Sequence, residues 1–197
     1  MRKVVVIEHV TLDGVMQAPG RPDEDTRDGF EHGGWAQDRA DEVIGRKMGV
    51  RMQGGPLLLG RRTYEDFFSF WPTQTDNPYT EALDNAEKYV ASTSLKEPLP
   101  WKNSTLLDGD AASAVAELKQ RPGKDFTVLG SGQLVQSLMR RDLVDELLLM
   151  THPMVFGTGR RLFPDGGAFA ELRLTDATTT TTGVVIATYE HEKQPKG

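Results

Sequence analysis

Two stretches of this chain combine an apolar strand, a small-residue turn and a helix, and each could hold an anion. In one, Phe126-Thr-Val-Leu129 is a partly β-branched run short enough for a buried strand, and Gly130-Ser131-Gly132 ends it. Gln133 to Arg140 follows, with Leu134, Val135, Leu138 and Met139 on one helical face. Glycines at a strand end let a ligand approach the backbone, and the next helix aims its N–H groups and positive dipole end at it. A phosphate or pyrophosphate suits that geometry. A plain tight turn is the competing reading of Gly-x-Gly alone.

The second unit lies upstream. Leu57-Leu58-Leu59 is a short apolar strand, Gly60 ends it, Arg61-Arg62 follow, and Thr63 is placed to cap a helix with Tyr64, Phe67 and Phe68 inward. Two cations at a helix N-terminus crowd the positive dipole end unless an anion sits there; otherwise they are two solvated arginines. A polyanion spanning both turns, as a dinucleotide would in an open α/β sheet, accounts for the pair. Neither turn carries the Gly-x-Gly-x-x-Gly fingerprint, so an ordinary Rossmann domain is not indicated.

Composition limits the function classes. The 197 residues suffice for one domain with a proper core. A net charge of -6 argues against a general nucleic-acid binder but allows a local basic pocket. No run approaches the length of a membrane span, and Met1-Arg2-Lys3 leads straight into a strand, so a cytoplasmic protein without membrane association is expected. The absence of cysteine excludes disulfides, thiolate nucleophiles and Cys-ligated zinc. His9, His32, His152 and His191 show no paired metal spacing, so no metal is expected.

The elements that must position these turns follow from periodicity. Lys3 to Val10 reads as a strand, and Val4-Val5-Val6-Ile7 is continuous enough to be covered on both faces. After the turn Thr11-Leu12-Asp13-Gly14, residues 18–34 form a long Gly-, Pro- and acid-rich loop, either a cover for a site or a solvated insertion. The spacing predicts a helix over 35–48, further helices over about 63–70, 79–86 and 111–120, and strands at 88–91, 104–107 and 144–151. Residues 172–182 and 184–191 read as a hairpin turning at Gly183. Alternating strands and helices followed by a hairpin give an α/β fold whose sheet is mostly parallel with antiparallel strands at the end.

These motifs, in this order and spacing, resemble the dihydrofolate reductase-like superfamily. The nearer resemblance is to stand-alone bacterial relatives of the reductase domain of the riboflavin-biosynthesis deaminase–reductase (RibD C-terminal domain). It rests on Thr11-Leu12-Asp13-Gly14, Leu58-Leu59-Gly60-Arg61-Arg62-Thr63-Tyr64, Val90-Ala91-Ser92-Thr93, Val128-Leu129-Gly130-Ser131-Gly132 and the segment from Leu149-Met150-Thr151-His152 to Phe163-Pro164. It implies a three-layer α/β/α fold over a single domain, residues 1–192, with a short polar tail at 193–197. It also implies hydride transfer from NADPH to a small heterocycle such as a pteridine or pyrimidine.

The residues implied for the cofactor are Gly60, Arg61, Arg62, Thr63, Ser92, Thr93, Gly130, Ser131, Gly132, Gln133 and Leu134. Val15, Met16 and Thr151 are implied on the substrate side. Folate-reducing relatives carry a proton-donating acid on the helix after the first loop, where this chain offers Asp38, Asp41 and Glu42. Asp41 is the expected donor, against solvated acids on an outer helix face. Relatives of this kind pair through C-terminal strands, and Val184 to Tyr189 reads as an apolar edge, so a homodimer is expected. No zinc deaminase domain is expected within these residues, because its ligands need cysteines. An NADPH-binding regulator or sensor without turnover is the alternative from another class, and a purely structural α/β domain the third.

Overall fold

The computed structural model describes residues 1–52, 54–75 and 77–192; the polar tail 193–197 lies outside the described residues. Eight strands form one sheet: β1 (Val4–Thr11), β2 (Leu57–Gly60), β3 (Lys88–Ala91), β4 (Ser104–Leu107), β5 (Phe126–Leu129), β6 (Glu146–His152), β7 (Leu172–Thr179) and β8 (Val185–His191). Their spatial order is β4-β3-β2-β5-β1-β6-β8-β7. The strands from β4 to β6 are parallel, and β8 runs antiparallel to both β6 and β7. The sheet is mixed and mostly parallel, as the alternation of elements predicts.

Helices cover both faces, which makes three layers. On one face Val4, Val6 and Val10 of β1 pack with Val115 and Leu118 of α4 (Ala111–Gln120) and with Leu134, Val135 and Leu138 of α5 (Gly132–Met139). On the other, Val5 and Ile7 pack with Ile44 of α1 (Glu42–Arg51), Tyr64 of α2 (Arg61–Phe70) and Leu83 of α3 (Pro78–Asn85). Burial on both faces explains why β1 is a continuous apolar run rather than an alternating one. Each fully buried side chain of this kind, such as Val135 or Leu138 at 0 % exposure, contributes about 1.5–3 kcal/mol.

Three local readings change. The segment read as a helix over 35–48 divides into a single 3-10 turn at Gln37–Arg39 and α1, with a break at Ala40 and Asp41. Asp41 adopts an extended conformation and accepts from Val43 N–H at 2.8 Å, so its preference for capping outweighs the apolar periodicity. α2 starts at Arg61 with Gly60 as its N-cap, so Thr63 lies inside the first turn rather than capping it. β8 is not an edge: it lies between β6 and β7, and Val184 and Ile186 belong to the core. The edge strand at this end of the sheet is β7, whose side chains are mostly exposed and polar; β4 is the edge at the other end.

One register difference shapes the site. The β1–β5 pairing ends at Ile7↔Leu129, whereas β1 stays paired with β6 as far as Thr11↔His152. β1 and β5 therefore part at Glu8, at the C-terminal edge of the sheet.

Candidate active site

The two glycine turns meet at that edge. Ser131 is held in the left-handed region (φ 65°, ψ 41°), and its hydroxyl accepts from Gly60 N–H at 2.9 Å, tying the end of β2 to the end of β5. Gly130 has φ 57°, and a Cβ there would stand 3.3 Å from both Cγ2 and Oγ1 of Thr63. Gly60, Thr63, Gly130 and Ser131 thus form one cluster, with the first turns of α2 and α5 opening onto it. Gly132 begins α5; a Cβ there would stand 2.5 Å from Sδ and 3.3 Å from Cε of Met16. The thioether is the flexible end of a side chain, so the space above Gly132 is closed only by a movable group. Gln133 is exposed on α5, and Leu134 is buried beneath it.

The cationic side of the cluster is partly engaged. Arg61 Nη1 donates to Glu65 Oε2 at 3.0 Å across one helical turn, and both side chains are substantially exposed. Arg62 is exposed on the same first turn. Ser92 and Thr93 directly follow β3, whose last residue Ala91 pairs with Gly60. Ser92 Oγ accepts from Ser94 N–H at 3.1 Å and Leu95 N–H at 3.0 Å, which leaves its O–H to donate.

Val15 is fully buried, bridges Arg161, and packs with Ala18, Phe30 and Trp35. Met16 lies against the α5 core, while Thr151 sits near the end of β6, paired with Val10 and Val185. The loop over 18–34 is bonded to the rest of the chain at several points. Gln17 is buried; its Nε2 donates to the carbonyls of Asp25 and Arg27, and its Oε1 accepts from Arg160 N–H at 2.9 Å. Trp35 Nε1 donates to Gln17 O at 2.7 Å. Arg21 forms an ion pair with Asp66 on α2 and stacks over Phe70, which ties the loop to α2.

Asp41 lies between α1 and the β7–β8 turn, apart from the two glycine turns. Besides capping α1, its carboxylate accepts from Thr181 N–H at 3.1 Å and Thr181 Oγ1 at 2.7 Å, joining α1 to the β7–β8 turn. The Val43 N–H bond and the Thr181 bonds hold its pKa below the usual aspartate range and keep it ionised, so it suits anchoring better than proton donation. Asp38 and Glu42 are exposed.

Several side chains emerge that periodicity alone did not single out. Glu8 is 3 % exposed, and its Oε1 has no hydrogen-bond partner. Burial raises its pKa well above the usual range, and Glu24 on the loop over 18–34 adds to the rise. On the opposite face of β1, His9 Nδ1 lies 2.9 Å from His152 Nε2, and Trp35 packs edge-on against His152. Burial holds His9 down to about 3 and His152 to about 4, so both are neutral near pH 7. An acid and a histidine directly after Val4-Val5-Val6-Ile7 were the signal: charge inside a doubly covered strand needs a reason.

The comparisons agree with this architecture. A dihydrofolate reductase from Enterococcus faecalis complexed with NADP(H) superposes with a TM-score of 0.61 at 14 % identity, covering 97 % of each chain. A pyrimidine reductase-like protein from Corynebacterium diphtheriae gives a TM-score of 0.65 at 12 % identity, covering 98 % of this chain and 93 % of the other. These likenesses show the dihydrofolate reductase-like fold. The Bacillus subtilis (strain 168) protein YyaP, itself uncharacterized, is 30 % identical over 138 residues, 68 % of this chain and 72 % of YyaP. The RibD C-terminal domain model matches residues 2–186, and the chain belongs to that family.

Proposed function

We propose that residues 1–192 form one NADPH-dependent reductase unit that acts in the cytoplasm, as a homodimer, on a small pteridine- or pyrimidine-like heterocycle. The observation that carries this reading is the Gly60–Ser131 hydrogen bond. It sets two helix N-termini side by side over parallel strand ends, with Arg61 and Arg62 on one of them. Converging N–H groups, glycines without Cβ atoms and two guanidinium groups fit a pyrophosphate. Arg61, Ser92 and Thr93 fit the adenosine 2′-phosphate, Thr63 a phosphate oxygen, and Gln133 and Leu134 the start of the helix beneath. Met16 can vacate the space over Gly132, so the cradle accepts the group.

When bound, the cofactor supplies the hydride. The chain's own residues orient it, and the cover formed by Gln17, Trp35 and Arg21 keeps water from the site. Val15, Met16 and Thr151 border the substrate side. Calorimetric titration with NADPH, followed by loss of reduced-nicotinamide absorbance against a panel of pteridines and pyrimidines, tests the reading. Oxidation of NADPH with one class is expected. Binding without oxidation supports the regulator, and absence of binding removes the reductase.

A further inference from the structure

Glu8 stands where β1 leaves β5. Beyond Ile7↔Leu129, β5 gives way to the Gly130–Gly132 turn, and Glu8 is the first residue of β1 past that pairing. Alternation along β1 puts this side chain on the face of Val4, Val6 and Val10, which α5 covers. Its neighbours on that side carry no charge: Leu149 lies opposite on β6, Thr151 follows two residues on, and Gly130 to Leu134 contain no ionisable group. The charged group that bears on it is Glu24 of the loop over 18–34, whose carboxylate accepts from Gly20 and Arg21 N–H groups and lies beside the Arg21 guanidinium. His9 and His152 occupy the other face of β1 and are neutral. An almost fully buried carboxyl with an orphaned oxygen is costly to keep and points to a partner from outside the chain.

The order of strands indicates which partner. Along the C-terminal edge the sequence is β3, β2, β5, β1. Ser92 and Thr93 follow β3, Arg61 to Thr63 follow β2, Gly130 to Gly132 follow β5, and Glu8 is next, on β1. A dinucleotide with its phosphorylated ribose at the first position and its pyrophosphate over the middle two delivers its other base to the fourth. Three strand spacings separate the ends, about 14 Å. On the reductase reading, on which this inference rests, that base is the nicotinamide.

We propose that Glu8, as a neutral carboxylic acid, recognises the carboxamide of the nicotinamide ring. Its O–H donates to the carboxamide oxygen, and its carbonyl oxygen accepts from the carboxamide NH2 group. An acid and a primary amide are complementary in both bonds, and the pair carries no net charge into the site. Ionised Glu8 loses its donor and meets the carboxamide oxygen with a like partial charge, while its charge favours the cationic oxidised ring. The neutral acid therefore makes the site selective for the reduced cofactor.

Two ligands separate this role from a structural one: NADPH, and 2′,5′-ADP, which has the phosphorylated adenosine end but no nicotinamide. Calorimetry on the full chain is expected to show NADPH bound about ten- to a hundredfold more weakly by Glu8→Ala, with 2′,5′-ADP unchanged. Glu8→Gln, which keeps one donor and one acceptor, should bind NADPH within about threefold of wild type near pH 7. In wild type the ratio of NADPH to NADP+ affinity should fall as pH rises through the Glu8 ionisation, and in Glu8→Gln it should stay flat. Equal losses for both ligands in Glu8→Ala overturn the proposal, as does unchanged NADPH affinity. If Glu8→Ala does not fold, a pH-dependent ratio persisting in Glu8→Gln overturns it. A wild type that binds 2′,5′-ADP but not NADPH defeats the Glu8 assignment, whereas one that binds neither defeats the reductase reading beneath it.

Discussion

Ser131→Ala isolates the contact that joins the two turns. The hydroxyl accepts from Gly60 N–H at 2.9 Å and lies 3.3 Å from Leu129 O, a weaker bond. Removing the acceptor forfeits a net hydrogen bond of about 1 kcal/mol, with some added cost for a half-buried N–H left unpaired. Alanine keeps the left-handed backbone strain at φ 65°, so nothing offsets the loss, and a total of about 1–2 kcal/mol is expected. For a chain of this size that lowers Tm by roughly 2–8 °C. Ser131→Gly also loses the bond but relieves strain worth about 1 kcal/mol, offset in part by a floppier unfolded chain, so it should fall between alanine and wild type. NADPH affinity should drop in both variants, because Gly60 and the α2 N-terminus are no longer held against the β5 turn. Thermal melts paired with NADPH calorimetry provide the assay. If Ser131→Ala matches wild type in both measurements, the bond does not organise the site and the reasoning fails.

Arg61→Ala should weaken NADPH about ten- to a hundredfold and leave NADH nearly unchanged, and Glu65→Gln should strengthen NADPH by freeing Arg61; titrating both cofactors checks this. Asp41→Asn should keep full turnover because Asn caps helices as well as Asp, while Asp41→Ala should lower the melting temperature; loss of turnover in a stable Asn variant would return Asp41 to proton donation. Gly132→Val should fold, since only Met16 must move, yet lose NADPH; unchanged affinity would separate the pyrophosphate from this turn. His9 and His152 have folded pKa values of about 3 and about 4, below the unfolded value near 6.5, so the unfolded chain binds more protons across that interval. Stability should therefore fall as pH drops below about 6.5, and His152→Leu should flatten the slope in acid denaturation. Light scattering at micromolar concentration checks the homodimer, for which the exposed Leu174 of β7 and Val185 at the start of β8 are available surface; a monomer mass counts against it.

Local signals made the parallel core and both turns readable, because each is written within about ten residues. Leu57–Thr63 and Phe126–Leu134 announce a strand, a turn and a helix without reference to anything distant. The contact between them was not readable: Gly60 and Ser131 are brought together only by the adjacency of β2 and β5. The partners of Asp41 were unreadable for a related reason. On paper it belongs to a helix spanning 35–48, but its bonds to Thr181 come from a turn at the other end of the chain. Val184 and Ile186 looked like an edge because alternation reveals one buried face and says nothing of a strand's neighbours. Glu8 was visible as a letter but not as a site, since its meaning depends on where β1 and β5 part.

The sheet order also governs when this chain can fold. β1 lies at the centre, yet both its partners come from far downstream: Val4 pairs with Phe126 and Val5 with Glu146. A ribosome releases β1 long before either of its neighbours, β5 and β6. Until β5 and β6 emerge, Val4 to Ile7 must wait unpaired, with two open edges and two uncovered faces. Such long-range closure is slow, and the wait exposes the nascent chain to aggregation. The charged acid at Glu8, still in water at that stage and freely ionised, ends the apolar run just where it would lengthen into a hazard. The same carboxyl then meets opposite needs at two times: in water its charge keeps the unfinished chain apart from its copies, and in the finished core burial raises its pKa.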